Sequence, residues 1–286
     1  MAVSELFPIV GTLPPGYRVI IVIDGSRFAR KMTTTDQEGV LNWSFRLRYE
    51  GDVIRHQEGS IEYKGLEFAP NQLRFEVEES QAEMGDTARF YEFDFIEGNG
   101  NPIFNSKMLS IGYAFYWAPG KKSFLAEIGQ KFGIPSVITQ VGQLGQFLQS
   151  YPSILIDKDC DYGQSLTLIN PYLKTISAKI LANDGRSLPR IRVPAESARN
   201  VRLSDFLEPD EVRWVGDIQV TANNRVVLYD FKHKLSDPTE ITDHEHLDYF
   251  QAVDSYEPAF LRVRHSIVTF LLRFGLFERR WFLQTQ

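Results

Sequence analysis

Apolar and polar residues alternate one by one in several short segments, and this alternation restricts the chain to few folds other than β-sheets. Segments 43–49, 73–78, 91–95 and 111–117 all show it. Successive side chains of a strand point to opposite faces, so a period of two collects the apolar side chains on one face. Aromatic residues, 13% of the chain, also suit a pleated, half-buried surface. The sequence therefore predicts a mainly β protein.

Turn-forming residues and a change in periodicity indicate how the predicted strands are grouped. Between 121 and 150 the apolar residues recur every three or four positions, as at Val141, Leu144 and Leu148, which is typical of one face of a helix. The predicted fold is two β-sandwich-like domains joined by a short helical connector. Its parts are an N-terminal β domain (1–120), the helical connector (121–150), a C-terminal β-sandwich domain (151–250) and an apolar, basic tail (251–286).

The net charge and the single cysteine narrow the class of protein. A net charge of −6 argues against a surface that binds nucleic acid along its whole extent. Cys160 is the sole cysteine, so neither a disulfide within the chain nor a multi-cysteine metal site can form. The first residues lack the basic and apolar regions of a signal peptide, and no apolar run reaches the roughly 18 residues of a transmembrane helix. We expect a cytoplasmic protein or a component of a particle that is assembled inside the cell.

A histidine cluster in the second half of the chain is the strongest candidate for a metal-binding or catalytic site. His244 and His246 are two residues apart, and side chains at that spacing on an extended segment point to the same side. His233 and Asp243 would complete a ligand set for a divalent transition metal such as zinc, iron or manganese. The alternative is an acidic loop whose side chains cap turns or pair with arginines.

The C-terminal segment combines apolar and basic residues and is a candidate partner surface. Five arginines lie between 260 and 286 against one acid, Glu278. Arginine is enriched at protein interfaces. The residues expected to contact a protein partner or a second copy of the chain are Arg262, Arg264, Phe270, Phe274, Arg279, Arg280 and Trp281. The same segment could instead belong to the chain's own core or lie on an anionic membrane surface.

Three motifs between residues 168 and 206 are similar to those of a known family. They are Leu168-Ile169-Asn170, Ile191-Arg192-Val193-Pro194-Ala195 and Asn200-Val201-Arg202-Leu203-Ser204-Asp205, with Ile176 and Ile180 between the first two. Over residues 154–235 the chain resembles the sensory rhodopsin transducer family, whose members are small, soluble β-sandwich proteins. The resemblance implies a partner-binding or transducing role and supplies no catalytic residues.

The sequence contains no Gly-rich phosphate loop, no Gly-x-Ser-x-Gly elbow and no Cys–His pairing of recognisable spacing. The leading hypothesis is therefore a non-catalytic structural or binding protein, a subunit of a larger assembly that uses β-domain surfaces and the C-terminal tail. A metal-binding protein or metal-dependent enzyme centred on the histidines is one alternative. A signalling adaptor or a carbohydrate-binding module, with Trp43 or Trp214 lining a groove, is another.

Overall fold

The computed structural model describes part of the chain, and nearly all of that part is β-strand. The described residues are 7–9, 18–24, 38–64, 67–69, 72–78, 87–97, 112–117, 124–128, 147–170, 175–186, 188–223, 226–238 and 240–247. The strands are β1 (Phe7–Ile9), β2 (Arg18–Asp24), β3 (Glu38–Tyr49), β4 (Asp52–Lys64), β5 (Glu67–Ala69), β6 (Gln72–Glu78), β7 (Thr87–Glu97), β8 (Gly112–Trp117), β9 (Phe124–Ile128), β10 (Phe147–Ser150), β11 (Ser153–Asp157), β12 (Tyr162–Asn170), β13 (Ile176–Ala182), β14 (Ile191–Val193), β15 (Ser197–Arg202), β16 (Arg213–Ala222), β17 (Val227–Lys234) and β18 (Ile241–Leu247). A 3₁₀ turn at Leu203–Phe206 is the one helical element among these residues, and they contain no helix that could span a membrane.

The described strands pair in an antiparallel manner and form two sheets. The larger, 14-stranded sheet runs β14-β13-β16-β11-β12-β15-β7-β3-β4-β5, with β1, β10, β17 and β18 paired beside this path. The smaller sheet has four strands in the order β6-β2-β8-β9. The prediction of a mainly β protein is therefore confirmed.

The alternating segments form strands where the sequence predicts them. Segment 43–49 belongs to β3, in which Phe45 and Leu47 are buried. The tight turn between β3 and β4 has Glu50 and Gly51 at φ 51 and 91. Two central residues with positive φ give the turn whose twist matches that of a β-hairpin, and glycine takes this conformation without strain.

The helical connector predicted over 121–150 is not confirmed, because the two described pieces of that segment are strands. Phe124–Ile128 forms β9 and pairs with β8, with Phe124 opposite Trp117. Phe147–Ser150 forms β10 and pairs with β16. Short apolar runs fit helical and extended spacing equally well, and here pairing with a neighbouring strand decides between them. Val141 and Leu144 lie outside the described residues.

The division into two sandwich domains is also not confirmed, because strands from both predicted domains join one sheet. Strand β15 pairs with β12 on one side and with β7 on the other, where Ala198 lies opposite Ala88. The boundaries of the predicted domains stay predictions.

Buried ion pairs hold the turn between β14 and β15 against β3 and β7. Arg48 donates from Nε to Glu92 Oε2 at 2.7 Å, and its Nη2 lies 2.8 Å from Glu196 Oε1. Glu92 is 0% exposed. The alternation in β3 places Arg46 and Arg48 on the polar face, yet Arg48 is buried, because Glu196 of this turn lies against its guanidinium.

The main apolar core combines strands from the two sides of the β11–β12 hairpin. On one side β11, β13 and β16 contribute residues such as Ile156, Ile180 and Val220, all fully buried. On the other side β12 and β17 contribute Leu168 and Leu228. Burial of such side chains contributes about 1.5–3 kcal/mol each, so this cluster accounts for much of the stability of residues 150–247.

The side chain of Gln164 on β12 covers the open edge of β11. β11 and β12 pair only at their shared turn, through Asp157 and Tyr162. Further along, the amide of Gln164 accepts a hydrogen bond from the Leu155 backbone N–H at 3.0 Å and donates one to the Ser153 carbonyl at 2.9 Å. A buried side-chain amide thus replaces a neighbouring strand for these two backbone groups.

We predict that Gln164→Leu lowers the free energy of unfolding by about 3 kcal/mol, because it removes the hydrogen bonds to two backbone groups of β11 and to the buried carboxyl of Asp230. Chemical denaturation measures the change. Gln219→Leu is the matched control, since Gln219 is only half-buried on β16 and substitutions of that kind stay within about 0.5 kcal/mol. Equal losses in the two variants would contradict the role assigned to Gln164.

Candidate functional site

The predicted metal ligands all lie on the β17–β18 hairpin, and its register turns Asp243 away from the face of His244. His244 is paired with Phe231 and Asp243 with Lys232, so these neighbouring residues point to opposite faces. The His244 ring stacks on Phe231 with ring centroids 6.0 Å apart. Asp243 instead accepts a hydrogen bond from Lys232 Nζ at 3.3 Å.

His233 is buried against β12 and has its own local partner. Its Nδ1 donates to the Lys234 carbonyl oxygen at 2.9 Å, and its ring lies so close to Gly163 that a Cβ there would be 2.7 Å from His233 Cε1. Burial lowers the pKa of His233, which favours the neutral ring.

No group of three or more His, Cys, Asp or Glu side chains converges on a metal position within the described residues. The structure describes only the backbone of His246, which is paired with Tyr229 on the same hairpin. The metal site therefore stays a prediction from sequence.

A buried carboxyl that the sequence analysis did not single out lies on the opposite face of β17. Asp230 is 2% exposed, beside Leu228 of the core. Gln164 Nε2 donates to its Oδ2 at 2.8 Å, while Oδ1 has no hydrogen-bond partner in the described part of the chain. Burial raises the pKa of Asp230 to about 7, although Lys232 and Gln164 oppose the shift. Because it is so little exposed, the Asp230 carboxyl affects the stability of the fold and does not contact a ligand.

We predict that protein stability falls as the pH rises from about 4 towards 7, because folded Asp230 keeps its proton up to about pH 7 while the unfolded residue loses it near pH 4. The folded state binds more protons across this window, so the sign of the slope is negative. Asp230→Asn should remove this contribution and stabilise the protein at pH 8 by up to about 4 kcal/mol.

Denaturation curves of the two proteins between pH 4 and pH 8 measure the difference. Asp217→Asn is the control, because Asp217 is exposed on β16 and accepts a hydrogen bond from Ser153 Oγ at 3.1 Å. A difference between Asp230→Asn and the unmodified protein that does not change with pH would contradict the assignment.

The clearest candidate for a binding site is a groove lined by β14, β15 and the 3₁₀ turn that follows. It encloses about 260 Å³, and among the described residues its lining includes four arginines, at positions 190, 192, 199 and 202, and one acid, Asp205. Ile191, Val201 and Phe206 supply apolar lining. Because the whole chain is acidic, this arginine groove is a local reversal of charge, which attracts anionic groups.

Two of the four arginines are already paired within the protein. Arg199 forms a two-pronged ion pair with Glu50, and Arg202 Nε lies 3.6 Å from Asp205 Oδ2. Arg190 and Arg192 are exposed, and neither forms an ion pair with another described residue. Guanidinium groups bind carboxylates and phosphates through two parallel hydrogen bonds, so these two are available for an anionic ligand.

The wall of the groove at Phe206 is held in place by Arg186. Its guanidinium donates to the Phe206 carbonyl at 2.9 Å and forms two hydrogen bonds with Glu211, at 2.9 and 2.8 Å. The same group lies 4.1 Å from the ring centroid of Trp214. The Trp214 ring and the Glu211 carboxylate together hold the guanidinium of Arg186, which fixes this turn relative to β16. The groove is therefore formed before any ligand binds.

The other predicted site residues are two tryptophans, which the structure describes, and the residues of the C-terminal tail, which it does not describe. Trp214 is 2% exposed within the core, so the structure contradicts its use in a carbohydrate groove. Trp43 lies over Gly59, where a Cβ would be 2.5 Å from its ring, and it stacks on Phe93. The partner-binding residues predicted between Arg262 and Trp281 lie outside the described residues.

The sequence analysis missed the arginine groove although the signal was present. Arg190 and Arg192 are two residues apart around Ile191, and Arg199 and Arg202 follow within ten positions. Only the fold brings the two pairs to one groove.

No family model matches the chain, and no curated protein and no solved structure matches it significantly. The resemblance to sensory rhodopsin transducers thus stays a prediction.

Proposed function

We propose that the chain is a non-catalytic binding protein, a subunit of a larger protein assembly, and that the arginine groove is one of its contact surfaces. The observation that carries the proposal is the pair of exposed guanidinium groups, Arg190 and Arg192, beside an apolar lining. Unpaired like charges repel each other on the free protein. Binding of an anionic group of a partner removes this repulsion.

The groove is small, because sites for cofactors and drug-sized ligands enclose about 300–1,000 Å³. Its 260 Å³ suits a few side chains of a partner protein. Its walls belong to β-strands and to a turn fixed by Arg186, which favours binding to a preformed surface.

The β-sandwich domain expected at 151–250 remains part of the proposal. It is supported by the core cluster, to which β11, β12, β13, β16 and β17 all contribute buried residues. The C-terminal tail, with its arginines and aromatic residues, is proposed as a second contact surface on sequence grounds. Truncation near Tyr256 tests the tail separately, because this change leaves the groove residues in the chain.

We predict that Arg190→Glu combined with Arg192→Glu dissociates the native complex of the full chain, because it replaces two attractive charges by two repulsive ones. Light scattering of the protein purified from its own cells measures the mass. The unmodified protein should exceed the 32.9 kDa of one chain, and the variant should lose mass.

Arg55→Glu combined with Lys234→Glu is the matched control, since it changes the net charge equally at basic residues of β4 and β17, which neither line the groove nor lie on β14 or the strand paired with it. The control should keep the mass of the unmodified protein. A groove variant with an unchanged mass would rule out the groove as a contact surface.

A further inference from the structure

The two available guanidinium groups of the arginine groove lie on one side of an extended segment. Arg190 directly precedes β14 and Arg192 lies within it, and both are exposed while Ile191 between them is half-buried. Residues two apart on extended backbone are separated by about 6.7 Å and point the same way. The groove therefore presents two anion-binding groups at the repeat distance of a β-strand.

β14 also has one edge that no other described strand pairs with. Within the described residues it pairs with β13 alone, so it ends the larger sheet. The amide of Asn170 donates to the carbonyl oxygens of Val193 and Pro194, at 3.1 and 2.7 Å, and so ties the C-terminal end of β14 to the end of β12. An extended peptide can add to the remaining edge by backbone hydrogen bonds.

We infer that the groove takes an extended acidic peptide segment whose carboxylates are two residues apart, one for Arg190 and one for Arg192. The inference rests on the proposed function and names the chemistry of the partner. A strand added beside β14 places alternate side chains on the same face as the two arginines. Acidic residues at adjacent positions would point to opposite faces and could supply only one carboxylate.

A peptide fits the surroundings of the groove better than a nucleic acid does. Beyond Phe206 the surface turns acidic, with Glu208 and Asp210 exposed, so a long polyanion would meet like charge within one turn of the chain. Nucleic-acid sites extend over several phosphates and add aromatic platforms for the bases. Phe206, the one aromatic residue lining the groove, packs against the core.

Two synthetic peptides of identical composition test the inference with the full chain. One has two glutamates separated by a threonine, and the other has the two glutamates adjacent. Fluorescence polarisation gives the dissociation constants, and the side-chain Nε–H signals of the arginines in a nitrogen-15 spectrum report the site. The peptide with separated glutamates should bind about tenfold tighter, because it forms one more charge-assisted contact, and it should shift two arginine signals.

Arg192→Gln should reduce the affinity of that peptide to the level of the adjacent-glutamate peptide, while Lys234→Gln, on β17 and outside the groove lining, should leave it unchanged. Equal affinities of the two peptides for the unmodified protein would overturn the inference, and so would tighter binding of a short single-stranded oligonucleotide. These results are separable from the proposed function. If the native complex depends on Arg190 and Arg192 but the peptides bind alike, the groove is a contact surface for a different anionic feature.

Discussion

The arrangement of the molecule depends on strand β15, which has neighbours on both sides, and on the ion pairs that hold the turn before it. Glu92 is completely buried, so its charge is tolerated only with a guanidinium in hydrogen-bond contact, which Arg48 supplies at 2.7 Å. Arg48 also contacts Glu196 in the turn between β14 and β15. Burial raises the pKa of Glu196, and the charge of Arg48 opposes that shift. Loss of Arg48 would remove this contact from Glu196 and leave Glu92 with the longer contact to Arg46 Nε, at 3.3 Å.

This arrangement fixes the groove from two directions. On one side, Glu50 from the β3–β4 turn pairs with Arg199 and so ties a groove residue to the first half of the chain. On the other side, Arg186 holds Phe206 over β16. The arginines that form these contacts are structural, and the two that do not, Arg190 and Arg192, are the ones available to a partner. Whether an arginine of this region holds the fold together or stays exposed therefore depends on its position in the fold.

Much of the secondary structure could be predicted from the sequence, because a period of two has a direct physical meaning. The alternation in β3 gave both the strand and its buried face, with Phe45 and Leu47 in the core. The failure at Phe124–Ile128 has an equally physical cause, because its apolar residues suit either spacing and pairing with β8 selects the strand. The sequence cannot show such a partner, which lies elsewhere in the chain.

The candidate sites were harder to predict because side-chain direction depends on exact pairing. Neighbouring positions 243 and 244 on β18 share a sequence motif, but the register with β17 sends Asp243 to Lys232 and His244 to Phe231 on the other face. The buried carboxyl of Asp230 gives no sequence signal, since an Asp in an alternating strand normally indicates the exposed face. The arginine groove combines two pairs of residues that are separated along the chain, one at β14 and one on β15, and the turn between these strands brings them together.

The polar chemistry of the described residues thus falls into two classes with different physical roles. On β17, Asp230 and His233 are buried on opposite faces, and burial moves the pKa of each toward its neutral form. Their protonation affects how firmly the strands pack. In the groove, arginine side chains keep their charge throughout the physiological range, so the site is permanently cationic. A change of pH therefore alters the stability of the β17 region. A change of salt concentration alters the attraction of the groove for anions, because salt screens exposed charges.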